Sequence, residues 1–129
     1  MFEADLSIAP AACFAEFNDL KIARLWLPGL KKAQVVRSDA KGRPLEVSYE
    51  FGESLSYALV YAYDDATLRV RWVPSAGVRD GVSGFASFES STKGCLFRYS
   101  LESFRGRGDS HERDVGEAFA GWISKRSAT

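Results

Sequence analysis

The sequence predicts an α+β fold in which helices cover one face of an antiparallel sheet, in the order β-α-α-β6-α. Three observations lead there. Apolar and polar residues alternate with period two through most of the stretch from Leu30 to Glu102. Short turn signals divide that stretch into strands, and tight hairpins force antiparallel pairing. Near the end, Val115, Phe119, Trp122 and Ile123 stand at i, i+4, i+7 and i+8, one apolar stripe of a helix.

Each element has its own justification. Phe2, Ala4, Leu6 and Ile8 share one face of a half-buried opening strand. Pro10 suits the first turn of a helix carrying Cys13, Phe14 and Phe17. Asn18-Asp19 breaks it, and a second short helix carries Ile22, Leu25 and Trp26 until Pro28-Gly29 ends it. Leu30 to Arg37 is a weak strand closed by a turn at 38–42. Leu45, Val47, Tyr49 and Phe51 form the next apolar row; Leu55, Tyr57, Leu59, Tyr61 and Tyr63 form the one after it, beyond a Gly52-Glu53 turn. Asp64-Asp65 turns into Leu68, Val70 and Trp72. A loop from Pro74 to Gly81 precedes the row of Gly84, Ala86 and Phe88, and Thr92-Lys93-Gly94 turns into Cys95, Phe97, Tyr99 and Leu101. Arg105-Gly106-Arg107-Gly108 leads to the last helix, with Asp109 and Glu112 at capping-box spacing. Gly116 and Gly121 each cost that helix roughly 1 kcal/mol against alanine. One apolar face per strand means one sheet face covered and one wet. A curved sheet gripping one amphipathic helix leaves room between them, which aromatic side chains would line.

Composition narrows the function. The 129 residues read as a single domain, 1–129. Lys plus Arg is 17 and Asp plus Glu is 17, which argues against a dedicated nucleic-acid binder, since that needs a basic excess. No apolar run approaches the roughly 20 residues of a membrane span. The acidic start does not read as a signal peptide, and Cys13 and Cys95, far apart in sequence, read as free thiols in a reducing compartment. A cytoplasmic protein is expected. One histidine and two lone cysteines cannot make a zinc site of the usual Cys/His kind. No metal and no cofactor are expected.

The chain resembles the START-like, or Bet v 1-like (SRPBCC), helix-grip proteins. It lies nearest their bacterial polyketide cyclase/dehydrase and coenzyme Q-binding branch. The resemblance rests on the opening strand running into Pro10, on Trp26-Leu27-Pro28-Gly29-Leu30, and on Tyr57 to Tyr63. Val70-Arg71-Trp72, Gly84 with Phe88, and Gly94-Cys95-Leu96-Phe97-Arg98-Tyr99 also match, and the element order matches throughout. It implies a helix-grip fold, a curved seven-stranded antiparallel sheet around a C-terminal helix. It also implies a cavity for lipids, quinones, sterols or aromatic polyketides. The last helix, about Ser110 to Lys125, reads as shorter than the family's.

Strand parity places Tyr49, Phe51, Tyr57, Leu59, Tyr61, Val70, Trp72, Phe88, Phe97 and Tyr99 on the cavity side of the sheet, with Trp26, Phe119 and Trp122 from helices. No strand carboxylate shares that parity, so no catalytic residue is expected. The expected function is binding or carrying a small hydrophobic molecule. Two alternatives stand beside it: a polyketide cyclase or dehydratase in the same cavity, and a protein-interaction module with a reduced cavity. A homodimer is left open. His111 reads as exposed and idle, and Arg107-Gly108-Asp109 as a helix start rather than a recognition tripeptide. Arg69, Arg71 and Arg98 read as partners of wet-face carboxylates such as Glu46, Glu50 and Glu102.

Overall fold

The computed structural model describes residues 1–51, 55–75, 83–102 and 108–127, with backbone alone for 55, 108–111 and 126–127. The turn at Gly52-Glu53, the loop after Ser75, Arg107 and the His111 side chain lie outside the described residues. Strand β1 (Phe2–Leu6) leads into helices α1 (Pro10–Phe17) and α2 (Leu20–Trp26). Strands β2 (Leu30–Ser38), β3 (Pro44–Phe51), β4 (Leu55–Asp64), β5 (Arg69–Pro74), β6 (Ser83–Ser90) and β7 (Cys95–Glu102) follow, then α3 (Gly108–Ser127). The strands form one curved sheet in the order β1-β7-β6-β5-β4-β3-β2, antiparallel at every pairing.

Local chemistry explains the boundaries. Pro10 opens α1, and the Asn18 amide closes it by donating to the Phe14 carbonyl at 2.9 Å. Asp19 caps α2 by accepting from the Lys21 backbone N–H at 2.9 Å. Gly29, at φ +75°, turns the chain into β2, a conformation that costs glycine little. The carboxylate of Asp39 accepts from the backbone N–H groups of Lys41 and Arg43, both at 2.9 Å, and so pins the β2–β3 turn. Asp64 accepts from Ala66 and Thr67 in the same way. Leu68, expected to open the fifth strand, sits in that turn at φ +52°, and the strand starts one residue later.

The helices divide the concave face of the sheet. Helix α3 lies against β1 and β7 and touches α2. Its 20 residues exceed the sixteen-residue span expected from 110 to 125, and at 1.5 Å each they run about 30 Å. Helix α1 lies on β6 and β7, and α2 on β2. Val115, Phe119 and Ile123 of α3 are almost wholly buried, whereas Trp122 is half-buried on the helix flank. Phe119 packs on Phe97 and Trp26 at 5.0 Å each and on Phe17 at 5.2 Å, centroid to centroid. Phe88 and Phe97 stack at 5.4 Å beneath them, so this half of the domain is a solid aromatic core.

Three readings from the sequence change here. Cys13 and Cys95 are free and buried as expected, but α1 and β7 bring their thiols close enough to interact. The neighbouring Cys95 thiol, then burial, pushes the Cys13 thiol far up and keeps it protonated. Glu112 is buried; its carboxylate accepts from the Leu101 backbone N–H at 2.8 Å and pairs with the Met1 amino group at 2.7 Å. The reason is register: β1 covers β7 only as far as Tyr99, so Leu101 needs another acceptor. Of the three wet-face arginines, Arg98 alone forms ion pairs among the described residues. Its partners are Glu89 at 2.8 Å and Glu3 at 3.0 Å, not the carboxylates expected. Arg69 instead lies over the Phe85 ring at 4.1 Å.

Candidate functional site

A cavity of about 80 Å³ lies under the other half of the concave face. Its floor is the alternating row that every second strand residue contributes, Val47 and Tyr49 from β3 and Tyr57, Leu59, Tyr61 and Tyr63 from β4, with Pro44 added at the start of β3. Trp72 of β5 and Tyr99 of β7 continue it. The roof is Phe17 and Asn18 at the end of α1, with Leu20, Ala23, Trp26 and Leu27 from α2 and its exit. Val115 of α3 closes one side.

Seven of the thirteen residues expected from strand and helix parity meet at this cavity: Trp26, Tyr49, Tyr57, Leu59, Tyr61, Trp72 and Tyr99. The other six do not line it. Val70, Phe88, Phe97 and Phe119 are buried in the solid half, where α1 and α3 fill the space that parity alone leaves open. Phe51 stacks on the Tyr57 ring at 5.3 Å, behind the wall. Trp122 is half-buried and packs against the core without lining the cavity. Parity also carried a signal for Val47 and Tyr63, which share rows with Tyr49 and Tyr61. The helix residues had no comparable signal, because an apolar helix face does not say whether it meets a core or a space. Phe17 sits at the boundary and touches Trp26, Trp72, Phe88, Phe97, Tyr99 and Phe119.

Among the described residues the cavity lining is uncharged. Its polar groups among the described residues are phenols, indoles, the Asn18 amide and backbone. The hydroxyls of Tyr49 and Tyr61 are hydrogen-bonded to each other, and Tyr63 donates to the Pro44 carbonyl. Burial pushes the phenols of Tyr49, Tyr57, Tyr61 and Tyr99 well above their ordinary range. Tyr63 is pushed up to about 12 by burial, against the opposing charge of Arg43. At neutral pH all five are therefore protonated; the Tyr63 proton is committed to Pro44 and one proton of the Tyr49–Tyr61 pair to its partner, which leaves Tyr57, Tyr99 and the other member of that pair as donors. The Trp26 indole N–H is buried with no hydrogen-bond partner among the described residues.

Charge gathers just outside, at the open end of the β3–β4 hairpin, where β3 begins and β4 ends. The Arg43 guanidinium lies over the Tyr63 ring at 4.3 Å and bonds Asp65 at 2.6 Å and Asp39 at 3.0 Å. Lys41 joins Asp65 at 2.9 Å. This network ties the β2–β3 turn to the β4–β5 turn beside the cavity. Desolvation opposes ionisation of Asp39, but hydrogen bonds from Arg43 and Lys41 outweigh it and hold that carboxyl below its usual range. Hydrogen bonds from Lys41 and Arg43 do the same for Asp65. Among the described residues no three His, Cys, Asp or Glu side chains gather into a metal-binding group. No helix among them is long and apolar enough to cross a membrane.

No protein-family model matches the sequence, and no curated protein matches it. Solved structures do. A START superfamily protein from Mycobacterium smegmatis superposes with a TM-score of 0.71 at 12% identity, over 97% of this chain and 96% of that one. The aromatase/cyclase Zhui from Streptomyces sp. R1128 gives 0.67 at 11% identity, over 98% and 93%. The di-domain aromatase/cyclase StfQ of the steffimycin biosynthetic pathway gives 0.74 at 10% identity. That match covers 98% of this chain but only 45% of StfQ. Sheet order, the placement of α3 across the concave face and these superpositions agree: the chain has the START-like helix-grip fold.

Proposed function

We propose that the protein binds a small, uncharged, hydrophobic molecule in the cavity between α2 and the tyrosine row of β3 and β4. The observation that carries this is the lining: five tyrosines and two tryptophans with no charged side chain among the described residues. Apolar walls with a few convergent donors suit a lipophile bearing at least one acceptor oxygen, such as a lipid, a quinone or an aromatic polyketide-like molecule. The likeness to START proteins and aromatase/cyclases supports the reading through the shared fold.

Size sets a condition. Drug-sized ligands occupy pockets of roughly 300–1,000 Å³, and this cavity offers about 80 Å³. Binding therefore requires the roof to move. Helix α2 has seven residues and sits between the Asn18-Asp19 break and the Gly29 turn, which suits it to that motion.

A cyclase or dehydratase would use the same phenols to donate to a carbonyl oxygen, but it also needs a base. Phenols that stay protonated far above neutrality do not supply one. The described lining holds no carboxylate or imidazole, which favours binding over turnover. Titration with a neutral fluorescent lipophile such as Nile red tests the reading. Wild type should bind with a blue-shifted emission. Leu59→Arg, which puts a charge into the cavity floor, should abolish the signal while far-UV circular dichroism stays native. A folded Leu59→Arg that binds like wild type would refute it, and absence of binding by wild type would favour an interaction module.

A further inference from the structure

The chain is neutral overall, yet its charges are segregated. From Leu20 to Ser38 there are five cations, Lys21, Arg24, Lys31, Lys32 and Arg37, and no acid. This stretch is α2, the Pro28-Gly29 turn and β2. All five cations are exposed. Arg37 pairs with Glu46 at 2.8 Å, and Lys32 stands across from Glu50 in the β2–β3 register. Lys21, Arg24, Lys31 and Lys32 form no ion pair among the described residues.

The same stretch carries exposed apolar residues. Of the five large hydrophobics exposed among the described residues, Leu25, Val35 and Val36 fall within it. Leu25, at 66% exposure, shares the outer face of α2 with Lys21 at i−4, and the exposed Arg24 lies on the adjoining flank. One exposed leucine is ordinary. Three exposed apolar residues within an acid-free cationic segment are not. The inner face of the same helix, through Leu20, Ala23 and Trp26, roofs the cavity. Helix α2 thus has the cavity on one side and a cationic, leucine-bearing surface on the other.

We propose that the α2–β2 face docks on an anionic lipid bilayer, with Leu25 entering the interface and Lys21, Arg24, Lys31 and Lys32 meeting the headgroups. Charge complementarity selects this occupant: basic residues near an anionic leaflet are each attracted, and an apolar side chain among them adds burial. A second copy of the chain would set these cations against each other, and bulges at Lys31 and Val36 blunt the β2 edge for strand pairing. Docking there would bring the cavity roof to the lipid phase from which a lipophile enters or leaves. The docking itself does not require that the cavity be filled.

The test is co-sedimentation of the full chain with two kinds of vesicle, phosphatidylcholine alone and phosphatidylcholine with about 30 mol % phosphatidylglycerol. Wild type should partition onto the anionic vesicles only and be released by about 0.5 M salt, which shortens screening to a few ångströms. Lys21→Glu/Arg24→Glu should weaken partitioning at least about 30-fold, since two attractive charges are lost and two repulsive ones gained. Leu25→Ser should weaken it less, and Lys93→Glu, in the β6–β7 turn, should leave it unchanged. All these positions are exposed, so the variants fold. No partitioning by wild type would overturn the proposal. So would equal partitioning by the double variant, or self-association through this face without vesicle binding. Nile red titration without vesicles keeps the two readings apart: dye binding retained by Lys21→Glu/Arg24→Glu leaves the cavity intact. Vesicle binding by a protein that takes up no dye sustains the docking surface and removes the ligand.

Discussion

Phe119→Ala distinguishes a domain that is solid on one side from one that is hollow throughout. Phe119 is fully buried, and its ring meets those of Phe97, Trp26 and Phe17 within 5.2 Å and that of Phe88 at 6.4 Å. Truncating a close-packed phenylalanine costs about 3–5 kcal/mol, lost transfer energy plus a new cavity. Edge-to-face partners add about 0.5–1.5 kcal/mol apiece at most and are not additive, which points to the upper part of that range. Leu59→Ala is the contrast. Leu59 is also buried but borders existing space. It loses three carbons at about 0.8 kcal/mol each, less what the cavity already denied it, so about 1–2 kcal/mol. Total stability is about 5–15 kcal/mol, so Phe119→Ala consumes a large part of it. With a urea slope of about 1–3 kcal/mol/M, its midpoint should fall by roughly 2 M, against about 1 M or less for Leu59→Ala. The assay is urea unfolding by far-UV circular dichroism, with slopes compared to exclude a change of denatured state. If Phe119→Ala costs no more than Leu59→Ala, the α3 half is not close-packed and the division of the domain is wrong.

The glycines of α3 should diverge. A Cβ on Gly116 would meet the Phe2 ring at 2.4 Å, so Gly116→Ala should lower the thermal midpoint by forcing β1 off the helix; Gly121 has open space, so Gly121→Ala should stabilise by about 0.5–1 kcal/mol. Glu112→Ala leaves the buried Leu101 N–H without its acceptor and should cost about 1–3 kcal/mol in urea unfolding. Asp39, Asp65 and Glu46 have carboxyl pKa values held below the ordinary range in the fold. Their contribution is present above the unfolded value of about 4 and is lost as pH falls through the folded value, so the urea midpoint should hold from neutrality and drop in acid. Asp39→Asn/Asp65→Asn should flatten that acid limb, and an unchanged limb would show that these carboxylates do not set it.

Period-two alternation by itself determined most of the sheet. Val47, Tyr49, Leu59, Val70, Trp72, Phe97 and Tyr99 face inward because successive strand residues must point to opposite sides, and one face had to be buried. The caps at Asn18 and Asp19 and the glycine turns were equally local. What the alternation could not say is how far each strand row is covered, because that depends on which helix lands on it. Phe88 and Tyr61 read alike in sequence. One lies beneath α1 in solid packing and the other opens on a space roofed by α2. Long-range placement also made a pair of Cys13 and Cys95, and it turned Glu112 from a presumed cap into the acceptor for a strand N–H beyond the reach of β1. The same holds for Gly116, which reads as a defect of about 1 kcal/mol in a helix until Phe2, 114 positions earlier, is seen to occupy the missing side chain's place. Local sequence sets which face is apolar; only the packed chain decides whether that face meets another side chain, a backbone group or a cavity, because those partners come from residues distant along the chain.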